Sequence, residues 1–178
     1  MSGEVEIGEV RPEECDAAGE VVVAAYSMLP GGHLSAEYAA ELADVRRRRR
    51  GATVLVARDG DAVVGCVTLV TDASSPWAEL VEPGESAIRM LAVAPGSQGS
   101  GVGRLLVEAC LERAAANGSA AVVLHSTPWM TVAHHLYERT GFARLPERDF
   151  FPVPEVPLMA FHLSLPPARA ARRPERRL

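Results

Sequence analysis

Gly99, Gly101 and Gly103 give the segment Gln98-Gly-Ser-Gly-Val-Gly103 the makings of an anion cradle. A turn so poor in side chains lets backbone amides approach a ligand closely. The apolar run Ile88-Arg-Met-Leu-Ala-Val93 precedes it and the amphipathic run Arg104 to Ala116 follows, so the turn joins a strand to a helix. The first amides of that helix, together with its dipole, favour a phosphate. Spacing separates the phosphate-binding designs. A G-x-x-x-x-G-K-[ST] loop needs a lysine, and the chain contains none. A G-x-G-x-x-G fingerprint needs a third glycine where Arg104 or Leu106 stands, depending on the frame. What remains is the pattern Q/R-x-x-G-x-G/A.

Two further blocks flank it in order: Leu91-Ala-Val93 as an L-x-V strand, and Ala133-His-His-Leu-Tyr-Glu-Arg-Thr-Gly-Phe142 as A-x-x-L-Y-x-x-x-G-F. With these three blocks the chain resembles the GNAT superfamily of N-acetyltransferases, specifically over Ile88 to Phe142. The resemblance implies a single-domain α/β (α+β) fold. Its mixed central sheet would have about six to seven strands, flanking helices and a splayed strand pair that takes acetyl-coenzyme A. It also implies site residues: Leu91, Ala92 and Val93 along the pantetheine arm, and Gln98, Gly99, Ser100, Gly101, Val102, Gly103 and Arg104 around the pyrophosphate. Met130, Ala133 and Tyr137 would complete the coenzyme site, with Tyr137 as the acid that protonates the leaving thiolate. An amide near Leu91 would polarise the thioester carbonyl.

Two positions depart from the family pattern. Ala87 stands where members often carry a glutamate or histidine base, and Met130 stands where many carry an asparagine. Glu85 and Arg89 flank Ala87 at a spacing of two and share its face in a regular strand. Glu85 is therefore the expected base, acting through water, with His125 and His134 as further candidates. Tyr26, Met28, Leu29, Glu85, Arg89 and Trp129 are the expected acceptor contacts, with Phe150-Phe-Pro-Val-Pro154 a further candidate segment beside the cleft.

The elements needed to position these groups follow from periodicity and punctuation. Strands are expected at Val5 to Val10, Thr53 to Arg58, Ala62 to Val70, Ser86 to Val93, Ala121 to Ser126 and Val156 to Leu165, with a further one available at Ala143 to Arg148. Helices are expected at Pro12 to Tyr26, from Ser35 to the five arginines ending at Arg50, from Gly101 to Asn117, and from Thr131 to Thr140. Those five arginines spread around more than half a helical turn, so they read as a solvated helix end rather than a nucleic-acid stripe.

One domain over residues 1–165 and a mobile Pro- and Arg-rich tail over 166–178 account for 178 residues with 48% hydrophobic content. The tail carries +4 and the preceding residues −9, a field able to steer a cationic amine. No apolar run is long enough for a membrane span, and the acidic start lacks a secretory pattern, so a cytoplasmic location is expected. Cys15, Cys66 and Cys110 are odd in number and dispersed, which reads as buried thiols, and no histidine pattern suggests a metal. The expected activity is N-acetyl transfer from acetyl-coenzyme A to a primary amine of a small molecule or peptide, by direct attack in a ternary complex. No nucleic-acid or membrane partner is expected, and a homodimer is compatible with the resemblance. The alternative is a coenzyme-binding regulatory or interaction module without turnover.

Overall fold

Gly60, at φ +60°, closes the hairpin expected around Asp59-Gly-Asp61, joining β2 (Thr53–Asp59) to β3 (Ala62–Val70). This hairpin lies within a computed structural model that describes residues 4–30 and 34–167. The chain opens with β1 (Glu6–Glu9), which pairs antiparallel with β2. A short 3₁₀ turn, Pro12–Glu14, then leads into α1 (Cys15–Ser27). Pro12 starts that turn without losing a needed amide. Glu14 accepts the Arg11 amide at 2.7 Å and also grips Arg58 of β2 with both oxygens, at 2.6 and 2.8 Å. The Arg58 guanidinium draws the Glu14 carboxyl down from the usual value to about 2.

Ser35 accepts the Tyr38 amide at 3.1 Å and caps α2 (Ala36–Ala43). The expected single helix to Arg50 is broken at Asp44, whose carboxylate caps a separate short helix, α3 (Val45–Arg48). The solvated-end reading of the arginine run is also corrected at Arg48. Its side chain is fully buried, and one terminal nitrogen donates to the carbonyls of Glu41 and Leu42 at the end of α2. The break turns this arginine inward, whereas Arg46 reaches Asp16 on the surface.

The remaining elements are β4 (Glu85–Val93), α4 (Val102–Ala116), β5 (Ala121–Ser126), α5 (Thr131–Arg139), β6 (Ala143–Arg144), β7 (Phe150–Val153) and β8 (Val156–Ser164). The sheet runs in the order β1-β2-β3-β4-β5-β8-β6, with β7 paired to β8. Seven strands follow one another in this mixed sheet, as expected, and β7 beside β8 makes an eighth. The segment available as a strand from Ala143 to Arg148 pairs only at Ala143 and Arg144, after which Pro146 starts a 3₁₀ turn. Phe150 to Val153, in the segment expected beside the cleft, forms one arm of a hairpin with β8. From residue 168 onward the expected tail lies outside the described residues, as do Gly31, Gly32 and His33 of the loop after α1.

Alternation along the strands builds two cores. On one face Val22 of α1 and Leu42 of α2 cover Val54, Val56, Cys66, Val70, Ala87, Ala92 and Val123. On the other, Leu106 and Cys110 of α4 and Tyr137 of α5 cover Leu55, Val67, Leu69, Ile88, Val122, Leu124 and Phe161. Close approach of α4 to the sheet depends on Gly65, where an added methyl would meet Val102 and Leu106 at 2.8 and 2.9 Å. That contact sets the N-terminus of α4 over the end of β4.

Candidate active site

Parallel pairing of β4 with β5 runs from Glu85 opposite Ala121 to Ile88 opposite Leu124, and both strands continue beyond it unpaired to one another. The cause lies on the other edge of β4. Its register against β3 slips between Cys66 and Thr68, so that Met90 and Leu91 together face Val67. Met90 takes φ +52°, and among the described residues it alone has positive φ without being glycine. This bulge bends β4 away from β5 and opens a gap in the middle of the sheet. Beyond the bulge the strand is regular again, with Val93 opposite Gly65 and the Ala94 amide on the Val64 carbonyl at 2.8 Å. Bonds to β3 thus alternate through Ala92 and Ala94, while Leu91 and Val93 direct their backbone groups toward the gap. The Gln98 side-chain Nε2 donates to the Val93 carbonyl at 3.3 Å from that side.

The glycine turn lies at the end of this gap. Gly99 has φ +78° and Gly101 φ +90°, and an added methyl at either would meet nothing within 4 Å. Their left-handed backbone is the reason for glycine, and the space beside them is open. Gly101 caps α4 without any side-chain bond to its first amides, which leaves those donors for a ligand. Arg104 is exposed on the first turn and pairs with Glu108 at 2.7 Å. Open amides, a fifteen-residue helix dipole and an adjacent guanidinium fit a diphosphate. The buried Val102 and the half-buried Gly103 pack α4 against the sheet and against Leu136 of α5.

Tyr137 of α5 lies in the same core cluster as Leu91 and Val93, the residues beside the gap. Its ring is buried at 4% exposure and packs against Phe142 and Phe161, with centroids 6.0 and 5.7 Å away. Its hydroxyl has no hydrogen-bond partner among the described residues and is not one of the unpartnered polar atoms sealed from solvent. It therefore faces accessible space. Burial pushes this phenol well above its ordinary range, so it stays protonated at neutral pH. Its charge state also bears on Tyr26 at the end of α1, whose phenol is raised chiefly by burial and further by Tyr38 and Tyr137. Tyr26 packs edge-on against Tyr38, with centroids 6.4 Å apart.

The expected acceptor contacts are distributed unevenly. Arg89 lies on the α1 side, donates to the Trp77 carbonyl at 2.7 Å and stacks over the Trp77 ring at 5.8 Å. Trp77, only 7% exposed, was not a candidate from sequence; only its loop position and a distant arginine mark it. Met28 is exposed and Leu29 half-buried after α1. Trp129 and Met130 are half-buried before α5, and the Met130 sulfur accepts the Ser126 hydroxyl at 3.5 Å. Ala133 is half-buried on α5.

Glu85 is not a free carboxylate. It binds Arg148 at 2.7 Å and the Glu82 amide at 3.0 Å, with its side chain only 10% exposed. Arg148 in turn donates to the Leu80 carbonyl at 2.8 Å, while its own carbonyl lies 3.1 Å from His125 Nε2. His134 Nε2 contacts the Thr127 carbonyl at 3.0 Å and Ser126 at 3.2 Å, and its ring lies against Phe161. Burial lowers the proton affinity of both histidines. All three cysteines are buried and free, and burial pushes the Cys66 and Cys110 thiols up to about 12. Among the described residues no cluster of histidine, cysteine and carboxylate could hold a metal, and no helix is long and apolar enough to cross a membrane.

The model of the acetyltransferase (GNAT) family matches residues 21–142. Solved structures of similar fold include an acetyltransferase of the GNAT family from Staphylococcus aureus Mu50. It is 15% identical with a TM-score of 0.71, over 92% of this chain and 100% of that one. The yncA protein of Salmonella typhimurium, solved with its cofactor acetyl-CoA, is 20% identical with a TM-score of 0.67, over 95% and 98% of the two chains. The PaiA N-acetyltransferase of Thermoplasma acidophilum, in complex with coenzyme A, is 15% identical with a TM-score of 0.66, over 88% and 98%. No curated protein matches the sequence.

Proposed function

Because this chain belongs to the GNAT family of acetyltransferases, we propose that it transfers an acetyl group from acetyl-CoA to a primary amine of a small molecule or peptide, by direct attack while both are bound. The observation that carries the reading is the gap opened by the Met90 bulge, ending at a left-handed glycine turn with uncapped helix amides. When bound, acetyl-CoA supplies the acetyl group as a thioester. Backbone groups of Leu91 and Val93 hold the pantetheine arm as an added strand would, while amides from Gly99 to Arg104 hold the diphosphate. The Leu91 amide donates to the thioester oxygen and stabilises the negative charge that develops there during attack. Tyr137 keeps its proton until sulfur needs it. Tyr26, Arg89 and Trp77 line the acceptor's approach on the α1 side, opposite the helices that hold the coenzyme.

The buried, high-affinity thiols of Cys66 and Cys110 oppose an acetyl-cysteine route, since a thiolate is the nucleophilic form. The ion pair that occupies Glu85 favours, as a second reading, a module that binds coenzyme without turnover. Calorimetric titration with coenzyme A, with ATP as the comparison, tests the coenzyme site; thiol release from acetyl-CoA across a panel of primary amines tests turnover. Saturable coenzyme binding with thiol release is expected. Preference for ATP overturns the assignment, and binding with no release from any amine leaves the second reading.

A further inference from the structure

We propose that His125 is the base that takes the proton from the acceptor amine, an inference that rests on the acetyltransfer reading above. Its place in the sheet comes first. Leu124 is the last residue of β5 paired with β4, so His125 is the first residue beside the gap. Val122 and Leu124 belong to the α4 side of the sheet and Val123 to the α1 side; alternation puts His125 on the α1 side, with Arg89 and Tyr26. Tyr137 shares the core cluster on the opposite, α4 and α5 face with Leu91 and Val93 beside the gap. The two groups that must move protons in acyl transfer therefore flank the opening from opposite faces.

The ring's tautomer follows from its partner. The Arg148 carbonyl can only accept, so His125 Nε2 carries the hydrogen in their 3.1 Å contact and Nδ1 carries the lone pair. Nδ1 has no partner among the described residues and is not one of the polar atoms sealed from solvent. Arg148 is held in turn by Glu85 at 2.7 Å and by the Leu80 carbonyl at 2.8 Å. Glu85 is thus a positioning residue: it fixes the segment whose carbonyl orients the imidazole. The charged groups facing the ring are Arg148 and Asp149 from the turn after β6, and Arg89 from β4. Burial and the two arginines hold the ring neutral near pH 7, while Asp149 and the Arg148 carbonyl act the other way. His134 does not meet these conditions, because it packs on Phe161 at the α5 side with Nε2 engaged by Thr127 and Ser126.

An ammonium acceptor first loses one proton to His125 Nδ1, which passes it to solvent. As the nitrogen–carbon bond forms and the carbon–sulfur bond breaks, a second proton leaves nitrogen for His125 and sulfur takes the Tyr137 proton. Solvent carries the proton from the imidazolium back to the phenolate, so the protein ends unchanged and the products are the N-acetyl amine and free coenzyme thiol.

The test compares wild-type protein with His125→Gln. The pH dependence of kcat/KM is measured with saturating acetyl-CoA, and the His125 imidazole is titrated by NMR in the free wild-type protein. The expected acid limb of wild-type kcat/KM has the pKa of that imidazole, below 6.5. The substitution is expected to remove the limb and lower kcat/KM about a hundredfold or more, with coenzyme A affinity within about twofold. A limb retained in His125→Gln at near wild-type rate overturns the assignment. So does a wild-type limb that departs from the NMR titration, a comparison independent of whether the variant folds. Wild-type protein that releases no thiol with any amine fails at the acetyltransfer reading itself.

Discussion

Replacing Tyr137 by phenylalanine removes one oxygen from a site where the structure shows no bond to lose. The ring packs between Phe142 and Phe161 and is 4% exposed, and phenylalanine fills the same contacts. Burying a hydroxyl without a partner costs about 1 kcal/mol or more, although this one keeps access to the gap, which reduces that cost. Folding stability should therefore stay level or rise by less than about 1 kcal/mol, a melting shift of no more than about 3 °C for a chain of this size. Turnover should respond differently. A positioned acid contributes about 10²–10⁴ in rate, or roughly 2.7–5.4 kcal/mol of barrier. Thiol release under saturating acetyl-CoA measures kcat, calorimetry measures coenzyme A affinity, and a thermal melt measures stability. The expected pattern is a kcat lowered at least a hundredfold, with affinity within about twofold and an unchanged or slightly higher melting temperature. An unchanged kcat would refute the acid role. A melt lowered by many degrees would refute the claim that the hydroxyl is unpartnered.

Glu14→Gln should cost up to about 3 kcal/mol, because a carboxyl held near 2 against an ordinary 4.5 gains about that much, chiefly from the Arg58 guanidinium and also from the Arg11 amide and charge. The folded value is depressed, so this contribution is complete above about pH 4.5 and lost as pH falls toward 2; urea melts of both proteins should converge over that window. Gly101→Ala forces a side chain into φ +90° and should cost about 1–2 kcal/mol while weakening coenzyme A binding, as read by calorimetry. Equal affinity there would detach the turn from the ligand. A disulfide reagent at pH 8 should leave the native protein unlabelled and modify all three cysteines after denaturation, since each is buried; rapid native labelling would contradict that burial.

Local signals made the glycine turn, β4 and α4 legible, because strand period, left-handed glycines and helix period all lie within about thirty neighbouring residues. Longer-range features were not legible. Phe150 to Val153 contains Pro152, is followed by Pro154 and has four exposed residues, so no alternation marks it as a strand until β8 supplies its partner. The arginine run concealed one inward residue, because Asp44 interrupts the helix and rotates Arg48 toward the core. Glu85 read as an available base because its partner Arg148 lies 63 positions away. Spacing along a strand gives the face of a side chain but not the counterion that meets it.

The single parallel pairing has a mechanical consequence. Strand pairing between the β1–β4 half of the sheet and the β5, β8 and β6 half is short: Glu85–Ile88 against Ala121–Leu124, extended by the Ala120 amide on the Gly84 carbonyl at 2.8 Å and flanked by the Glu85–Arg148 ion pair. The slot is therefore also a seam. A molecule lying along it touches both banks and works as a brace, so its occupancy should slow amide hydrogen exchange on each side and raise the melting temperature with concentration.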